Sequence, residues 1–401
     1  MTARHVRFGV DRVARHPHLL PRASRVGLVT NQAARPAGEP STPSRVALRE
    51  AGVPLVRLFS PEHGLSALGE DGAPMTDATD PVTGLSIVSL YGERFAPPDE
   101  ALADLDLVLF DIPDVGARFY TYAWTLSHVL ESCARTGTPL VVLDRPNPLG
   151  GRLDRAEGPL LDEAHCASFI GRWAIPIRHA LTLGELATHW ALTRVRAAPL
   201  HVIRCEGWAR DACWPALGLP WIPTSPSMPS FASAMVYPGL CLFEATNLSV
   251  GRGTDAPFQC IAAPWLDAPG VIAALSPAAR TGVTLHPGSC TPTLGPHRGT
   301  PCAAVWIAVD DVETVRPVAL GLSLLAAVIR RHERHFAWAT YPTAANPTGG
   351  DHFARLVGER GIAARLLETD RPVSDDEVAR WTAVPSWPAA VRDALLYGPA
   401  N

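Results

Sequence analysis

The 401-residue sequence predicts an α/β protein, in which a doubly wound, mostly parallel sheet is followed by a smaller α+β domain. Short apolar runs recur along the first half of the chain, and they are continuous rather than alternating, as in strands buried on both faces. Helical patterns separate several of these runs, which is typical of parallel strands joined by crossover helices. Beyond about residue 235 this rhythm changes, which indicates the second domain.

The elements of the first domain follow from these runs in order. Strands are expected at 25–31, 54–60, 85–92, 105–111, 139–145 and 200–208. Helices are expected at 43–51, at 120–135 and at 182–194. The last of these opens on Thr182 and Glu185, which form a T-x-x-E capping box.

Residues 219–239 are rich in Pro and Ser and carry no charge, so we interpret them as an ordered connector between domains. Beyond it, a strand is expected at 302–311 and helices at 319–336 and 374–381. Ser374 and Glu377 supply an S-x-x-E capping box for the last helix. The predicted domains are therefore residues 1–230 and 235–401.

Composition excludes several classes of function. The net charge of −4 and a pI of about 6.4 give no reason to expect binding to nucleic acid or to an anionic membrane. The chain has no lysine, so all 35 basic residues are arginine, which excludes Schiff-base chemistry and a P-loop lysine. No run reaches the length of a membrane span, and the first 20 residues lack the apolar segment of a signal peptide, so a cytoplasmic protein is expected.

Polar side chains follow five of the predicted strands. They include Asn31, Glu62, His63, Asp111, Asp114, Asp144 and Arg145. Because the carboxyl ends of parallel strands meet at one edge of a sheet, where ligands bind, these residues are candidates for one site.

Glu62 is the leading candidate for catalysis. It follows the apolar residues Leu58 and Phe59, and an acid in such surroundings has a raised pKa and can serve as a general acid. The alternative is a helix cap or a salt bridge to an arginine. His63 is a candidate base, metal ligand or orienting residue, although a lone histidine is more often structural.

Asp111 and Asp114 are candidates for binding a metal or a substrate hydroxyl. Arg118 and Arg145 suit an anionic ligand, because a guanidinium group pairs with a carboxylate through two hydrogen bonds. Internal ion pairs between these arginines and aspartates are the alternative.

Two further groups complete the candidate site. Glu244, Asn247 and Arg252 lie in the glycine-containing segment EATNLSVGRGTD, which is predicted to form a second wall. Arg178 and His179 lie at the entrance of the helix that contains Glu185, where they either reach the site or cap the helix. The sequence contains no G-x-G-x-x-G, G-x-S-x-G or HExxH motif, which argues against a dinucleotide cofactor, an α/β-hydrolase and a zinc protease.

Several blocks resemble, in order, those of the NamZ-type exo-β-N-acetylmuramidases. The blocks are GLVTNQAA, LFSPEHGL, SLYG, DIPDVGARFYTY, VVLDRPNPLGG, EGP, SFIGRWAIPIRHALTLGELA, SPSMP, YPGLCLFEATNLSVGRGTDAPF and APW. The resemblance is dense over about residues 20–265 and looser in the tail.

The resemblance implies a Rossmann-like catalytic domain, with a C-terminal domain that closes the active-site cleft. It implies release of N-acetylmuramic acid from the non-reducing end of peptidoglycan-derived saccharides of the MurNAc-GlcNAc type, without a metal or an organic cofactor. Glu62 carries over as the catalytic residue. The second catalytic group stays open among Asp111, Asp114, Glu244 and the substrate's own acetamido group.

An arginine is expected to bind the lactyl carboxylate of N-acetylmuramic acid, and the candidates are Arg118 and Arg252. Tyr120 and Tyr122 are candidates for stacking against a sugar ring, although such aromatics more often pack in a core. The sequence departs from the family pattern at four positions: Pro113, Ala180, Ser227 and Val250.

Two other functions remain open from the sequence. One is an amino-sugar-binding protein that has lost catalysis, for which the change at Val250 is a possible cause. The other is a metal-dependent hydrolase that uses Asp111, Asp114 and His63.

Overall fold

The computed structural model describes residues 5–196 and 198–398, and it is organised around a seven-stranded sheet. The strands are β1 (Val26–Thr30), β2 (Leu55–Ser60), β3 (Ala78–Thr79), β4 (Ser86–Ser89), β5 (Leu107–Asp111), β6 (Leu140–Leu143) and β7 (Leu200–Ile203). Their order is β3-β4-β2-β1-β5-β6-β7, and all neighbours are parallel except the short edge pair β3 and β4. This confirms the doubly wound sheet.

The six parallel strands have the order of a Rossmann-type sheet, in which the chain moves outward from β1 in both directions. Strands β1 and β5 lie at its centre and are buried along their whole length, which explains why their apolar runs do not alternate. The helices that belong to this sheet are α1 (Gly9–Arg15), α2 (Ser44–Glu50), α3 (Tyr122–Thr136), α4 (Glu163–Cys166) and α5 (Leu183–Thr193). The predicted capping box at Thr182 and Glu185 is present at the start of α5.

A smaller antiparallel sheet follows, with the order β8-β10-β9. Its strands are β8 (Cys260–Ala263), β9 (Val283–Cys290) and β10 (Cys302–Val309). The remaining helices are α6 (Phe231–Leu240), α7 (Ala268–Ala274), α8 (Pro317–Arg331), α9 (His352–Val357), α10 (Arg360–Leu366), α11 (Asp375–Thr382) and α12 (Trp387–Val391). Together they form the smaller α+β part that the sequence predicts.

The interpretation of residues 219–239 as a connector is wrong for its second half, which forms helix α6. Ser230 caps this helix by accepting a hydrogen bond from Ser233 N, and the apolar residues behind it are buried. Gly239 lets α6 approach α8 closely, because an added Cβ would lie 1.8 Å from the carbonyl oxygen of Pro317. Tertiary packing thus imposes a helix on a Pro- and Ser-rich segment.

The C-terminal residues return to the large sheet. Trp387 donates a hydrogen bond to the carbonyl of His179 (2.8 Å), and the Tyr397 hydroxyl donates one to Asp144 (2.6 Å). Among the described residues, none of the helices has the length and apolar character that crossing a membrane requires.

Candidate active site

Glu62 lies just beyond the end of β2, in a sharp turn. The strand ends at the buried residue Ser60, and the φ angles of His63 and Gly64 are 65° and 67°. Gly64 adopts this left-handed conformation easily because it has no Cβ atom. The turn leaves Glu62 only 5% exposed, so the strand end holds this carboxyl group rigidly.

The surroundings of Glu62 favour its protonated form. Burial raises the pKa of this carboxyl group, and repulsion from the nearby carboxylate of Asp71 raises it further. Hydrogen bonds from Gly72 N (2.8 Å) and from Thr121 Oγ1 (2.7 Å), together with His63, oppose the shift without cancelling it. Glu62 therefore has the raised pKa that a general acid needs.

Two adjoining spaces lie next to Glu62. The inner cavity, which Glu62 lines together with Tyr91, Tyr120 and Thr121, has a volume of about 60 Å³. This is room for a water molecule or two, not for a sugar ring. The outer cleft has a volume of about 600 Å³, which is in the usual range for ligand sites. Glu62 lines only the inner cavity, which is connected to the outer cleft through side chains that line both spaces.

The boundary consists of side chains that line both spaces: His63, Asp71, Ser227, Glu244, Arg252 and Tyr341. Arg252 is at its centre. The Nε atom of Arg252 donates to Glu244, its Nη1 donates to Ser227 Oγ (2.7 Å), and its Nη2 lies 3.3 Å from Asp71 Oδ2. The Tyr341 hydroxyl also donates to Asp71. Residues from both halves of the chain thus meet in one charged network.

His63 supports the loop that carries Asp71. Its Nδ1 lies 2.8 Å from the carbonyl oxygen of Gly69, and its Nε2 lies 3.9 Å from Asp71 Oδ1. The imidazole therefore lies beside the two carboxyl groups and lines the cavity.

Internal hydrogen bonds engage the side chains of three predicted site residues: Asp111, Asp144 and Arg145. Arg145 donates from Nε (2.7 Å) and Nη2 (3.0 Å) to the two oxygens of Asp111, and this pair is buried. Asp144 accepts hydrogen bonds from Thr182 Oγ1 (2.7 Å) and from Gly184 N (2.8 Å) at the start of α5. Burial raises the pKa of Asp144 to about 6.

Asp114 lines neither the inner cavity nor the outer cleft. It lines a separate small cavity with Trp214 and Trp221, and its Oδ2 lies 3.6 Å from Nε2 of the buried His179. Among the described residues, the three residues of the metal hypothesis do not form a cluster of ligand atoms: Asp111 pairs with Arg145, Asp114 lines this second cavity, and His63 lies beside Glu62.

The two arginines Arg118 and Arg178 are both buried and bind backbone carbonyl groups. Arg118 donates to the carbonyls of Pro159 (2.7 Å), Ile175 (2.8 Å) and Leu356 (2.9 Å), and burial lowers its pKa to about 9. The Nη2 atom of Arg178 donates to the carbonyl of Leu149 (2.7 Å). Arg118 thus joins three segments of the chain and does not line either space next to Glu62.

Of the two tyrosines, Tyr120 lines the inner cavity, and Tyr122 packs against it with ring centroids 4.9 Å apart. Both hydroxyls form hydrogen bonds with Thr224, which fixes the position of the two tyrosines.

Asn31 is buried and accepts a hydrogen bond from a backbone N–H of its own turn (3.1 Å). Asn247 donates to the carbonyl of His335 (2.7 Å) and so fastens the second-wall loop.

The structure also adds residues that the sequence analysis missed. Asp71 lies in a loop between Gly69 and Gly72, and this polar, glycine-flanked segment so close to Glu62 was an available signal. Tyr341 and His352 reach the inner cavity from the C-terminal part of the chain, where their neighbouring residues carry no motif.

Comparison with known proteins agrees with this architecture. The chain matches two family models, "Exo-beta-N-acetylmuramidase NamZ, N-terminal" over residues 26–232 and "Exo-beta-N-acetylmuramidase NamZ, C-terminal" over residues 235–397. It is 36% identical over 364 residues to the peptidoglycan β-N-acetylmuramidase NamZ of Bacillus subtilis (strain 168), covering 90% of this chain and 84% of that protein.

Two crystal structures of DUF1343 family proteins from Bacteroides fragilis NCTC 9343 have the same fold. One superposes with a TM-score of 0.85 at 28% identity, and the other with a TM-score of 0.72 at 25% identity. Each comparison covers 98% of this chain and 99% of the other. From the two family models and the B. subtilis relative together, the chain belongs to the NamZ family of exo-β-N-acetylmuramidases.

Proposed function

We propose that this protein is an exo-acting glycoside hydrolase that releases N-acetylmuramic acid from the non-reducing end of peptidoglycan-derived saccharides, with Glu62 as the general acid. The observation that carries the proposal is the buried carboxyl group of Glu62, whose pKa is raised, behind a cleft large enough for a saccharide. Glycosidases use such a carboxylic acid to protonate the leaving oxygen while positive charge develops at the anomeric carbon.

In this proposal the two parts of the chain have different tasks. The first 230 residues supply Glu62 and the loop that carries Asp71, and the residues from 235 onward close the cleft. The contacts of Arg252 and Tyr341 with Asp71 support this division, because they join the two parts at the boundary of the inner cavity.

Arg252 is proposed to recognise the lactyl carboxylate of N-acetylmuramic acid. A guanidinium group has five N–H donors, the three contacts of Arg252 use three of them, and Arg252 lines the outer cleft. Val250 lines the same cleft with an apolar side chain, and so makes no charged contact with the substrate there.

The direct test is a product assay on aryl glycosides of N-acetylmuramic acid and N-acetylglucosamine, and on a MurNAc-GlcNAc disaccharide, with and without a chelator. We expect release from both muramides and little release from the glucosaminide, with no effect of chelator. Tight binding of the disaccharide without release over hours would instead identify a binding protein. Activity abolished by chelator and restored by a divalent metal would identify a metal-dependent hydrolase.

Replacing Arg252 should lower the selectivity for muramides. Hydrogen bonds to charged groups contribute about 1.5–3 kcal/mol, so Arg252→Gln should reduce the ratio of kcat/KM for muramide to that for glucosaminide roughly 10- to 100-fold. The ratio is the measurement, because any general loss of activity affects both substrates. Arg94→Gln, on the surface beside Asp77, is the control and should leave the ratio unchanged. An unchanged ratio in Arg252→Gln would assign the lactyl group to another residue.

The pH dependence should show the raised pKa of Glu62. A general acid acts in its protonated form, so kcat/KM should fall as the pH rises through the pKa of Glu62, which lies above the usual value for glutamate. The residual activity of Glu62→Gln should lack this basic limb, because glutamine does not titrate. A basic limb that persists in the variant would assign the titration to a different group.

A further inference from the structure

The mechanism needs a second group at the anomeric carbon, and Asp71 is placed to supply it. One carboxylate oxygen of Asp71 lies within 4.8 Å of an oxygen of Glu62. Asp71 lines both the inner cavity and the outer cleft, and its side chain is 35% exposed, so a ligand can reach it. Among the described residues, the other carboxylate that lines both spaces is Glu244, whose side chain is only 7% exposed.

The neighbours of Asp71 keep it ionised. Burial alone would raise its pKa, but the charge of Arg252, the nearby His63 and the hydrogen bond from Tyr341 outweigh burial and lower the pKa below its usual value. The pKa values of Glu62 and Asp71 are therefore driven apart, which is how enzymes assign acid and base roles to two carboxyl groups. The other titratable groups that face Glu62 are the phenols of Tyr91, Tyr120 and Tyr122, whose pKa values are all raised by burial, so they stay neutral.

We propose that Asp71 is the catalytic nucleophile and that the reaction retains the β configuration. This inference rests on the proposed function of the site. An Asp71 oxygen forms a bond to the anomeric carbon as the glycosidic bond breaks, and Glu62 gives its proton to the leaving oxygen. Water then adds to the anomeric carbon and gives a proton back to Glu62, and Asp71 departs as a carboxylate.

The distance between the two carboxyl groups supports retention. Inverting glycosidases keep them roughly 6.5–9.5 Å apart, because a water molecule must fit between the base and the sugar, whereas retaining enzymes keep them about 5–5.5 Å apart. One oxygen of Glu62 and one oxygen of Asp71 lie within 4.8 Å of each other, and this close approach fits the shorter spacing of retaining enzymes.

The first experiment uses the unmodified protein. Proton NMR during hydrolysis of an aryl β-N-acetylmuramide reports the anomer that forms before mutarotation. The β anomer is the expected product. The α anomer would overturn the proposal, because it would require direct attack by water.

The second experiment replaces the nucleophile. Asp71→Gly should lower turnover of the aryl muramide on the order of 10³-fold, the scale of losing one catalytic group. Sodium azide should then restore turnover and give the α-glycosyl azide, because azide enters from the face that the carboxylate occupied. Asp71→Asn, which keeps the shape of the side chain, should be equally inactive and serves if the glycine variant does not fold.

Three results would reject the role of Asp71. The first is full activity in Asp71→Asn. The second is the absence of azide rescue in a folded Asp71→Gly. The third is strong inhibition by a thiazoline analogue of the substrate, with retention but without azide rescue, which would identify the acetamido group as the nucleophile.

The control is Asp77→Asn, which removes an aspartate six positions away that pairs with Arg94 on the surface, and activity should be unchanged. A different result would contradict the proposed function itself, namely that the unmodified protein releases no N-acetylmuramic acid. An active protein with a fully active Asp71→Asn would overturn only the inference about Asp71.

Discussion

Glu62→Gln is expected to lower kcat on muramide substrates about 10²- to 10⁴-fold, the usual contribution of a general acid. The loss should be largest for the disaccharide, whose sugar leaving group needs the proton, and smaller for an aryl glycoside with an acidic phenol. Comparison of the two substrates in the variant and in the unmodified protein is the measurement.

The fold should survive this substitution. Glutamine has the shape of glutamate, and its carbonyl oxygen can still accept the hydrogen bond from Gly72 N. Thermal unfolding should therefore change by only a few degrees, a shift of about 1 kcal/mol at most. Glu93→Gln, at a side chain that is 91% exposed, is the matched control and should keep full activity. Wild-type turnover of the disaccharide by Glu62→Gln would exclude the acid role.

Asp111→Leu should have the largest effect on stability. The substitution removes the carboxylate partner of Arg145, whose side chain is only 8% exposed, at the carboxyl end of the sheet. Breaking a buried ion pair on one side typically costs about 3–5 kcal/mol, because the remaining charge is desolvated and unpaired. Urea unfolding of the folded variant is the measurement, and an increase in insoluble protein is the expected accompaniment.

The double variant Asp111→Leu, Arg145→Met separates a structural pair from a ligand site. Replacing both partners with apolar side chains removes the unpaired charge, so much of the lost stability should return. The exposed pair of Asp99 and Arg135 offers a control, because water screens it, and Asp99→Asn should change stability far less. If Asp111→Leu unfolds at the wild-type urea concentration, the pair does not hold the sheet edge together.

The apolar runs were sufficient to predict the sheet. Strands β1, β5 and β6 are buried on both faces, so they consist of a continuous run without polar residues up to the carboxyl end, where β1 has Thr30 and β5 has Asp111; each strand lies within the predicted range. The helix starts at Thr182 and Ser374 were also predictable from the local sequence, because a capping box involves only residues within one helical turn. Helix α6 was missed because its stability comes from packing against α8, and not from the propensity of its Pro- and Ser-containing sequence.

Glu62 was recognisable as a candidate because the strand, the turn and the acid are adjacent in the sequence. The roles of the arginines were not recognisable in this way. Arg118 and Arg252 both follow polar or glycine-containing turns, yet Arg118 is surrounded by backbone carbonyls and Arg252 by carboxylates. The difference depends on segments far away in the chain, such as the residues around Pro159 and Leu356.

The parallel sheet, the turn that presents Glu62 and, from the ordered motifs, the family can all be predicted from the amino-acid sequence. These properties depend on neighbouring residues, whose spacing the chain fixes directly. Which charged groups share the site depends on the folded chain, because Tyr341 lies 270 positions from Asp71 in the sequence and contacts it through folding. Charges interact through space over a few ångströms, so the pKa of Glu62 and the ionisation of Asp71 depend on that final arrangement.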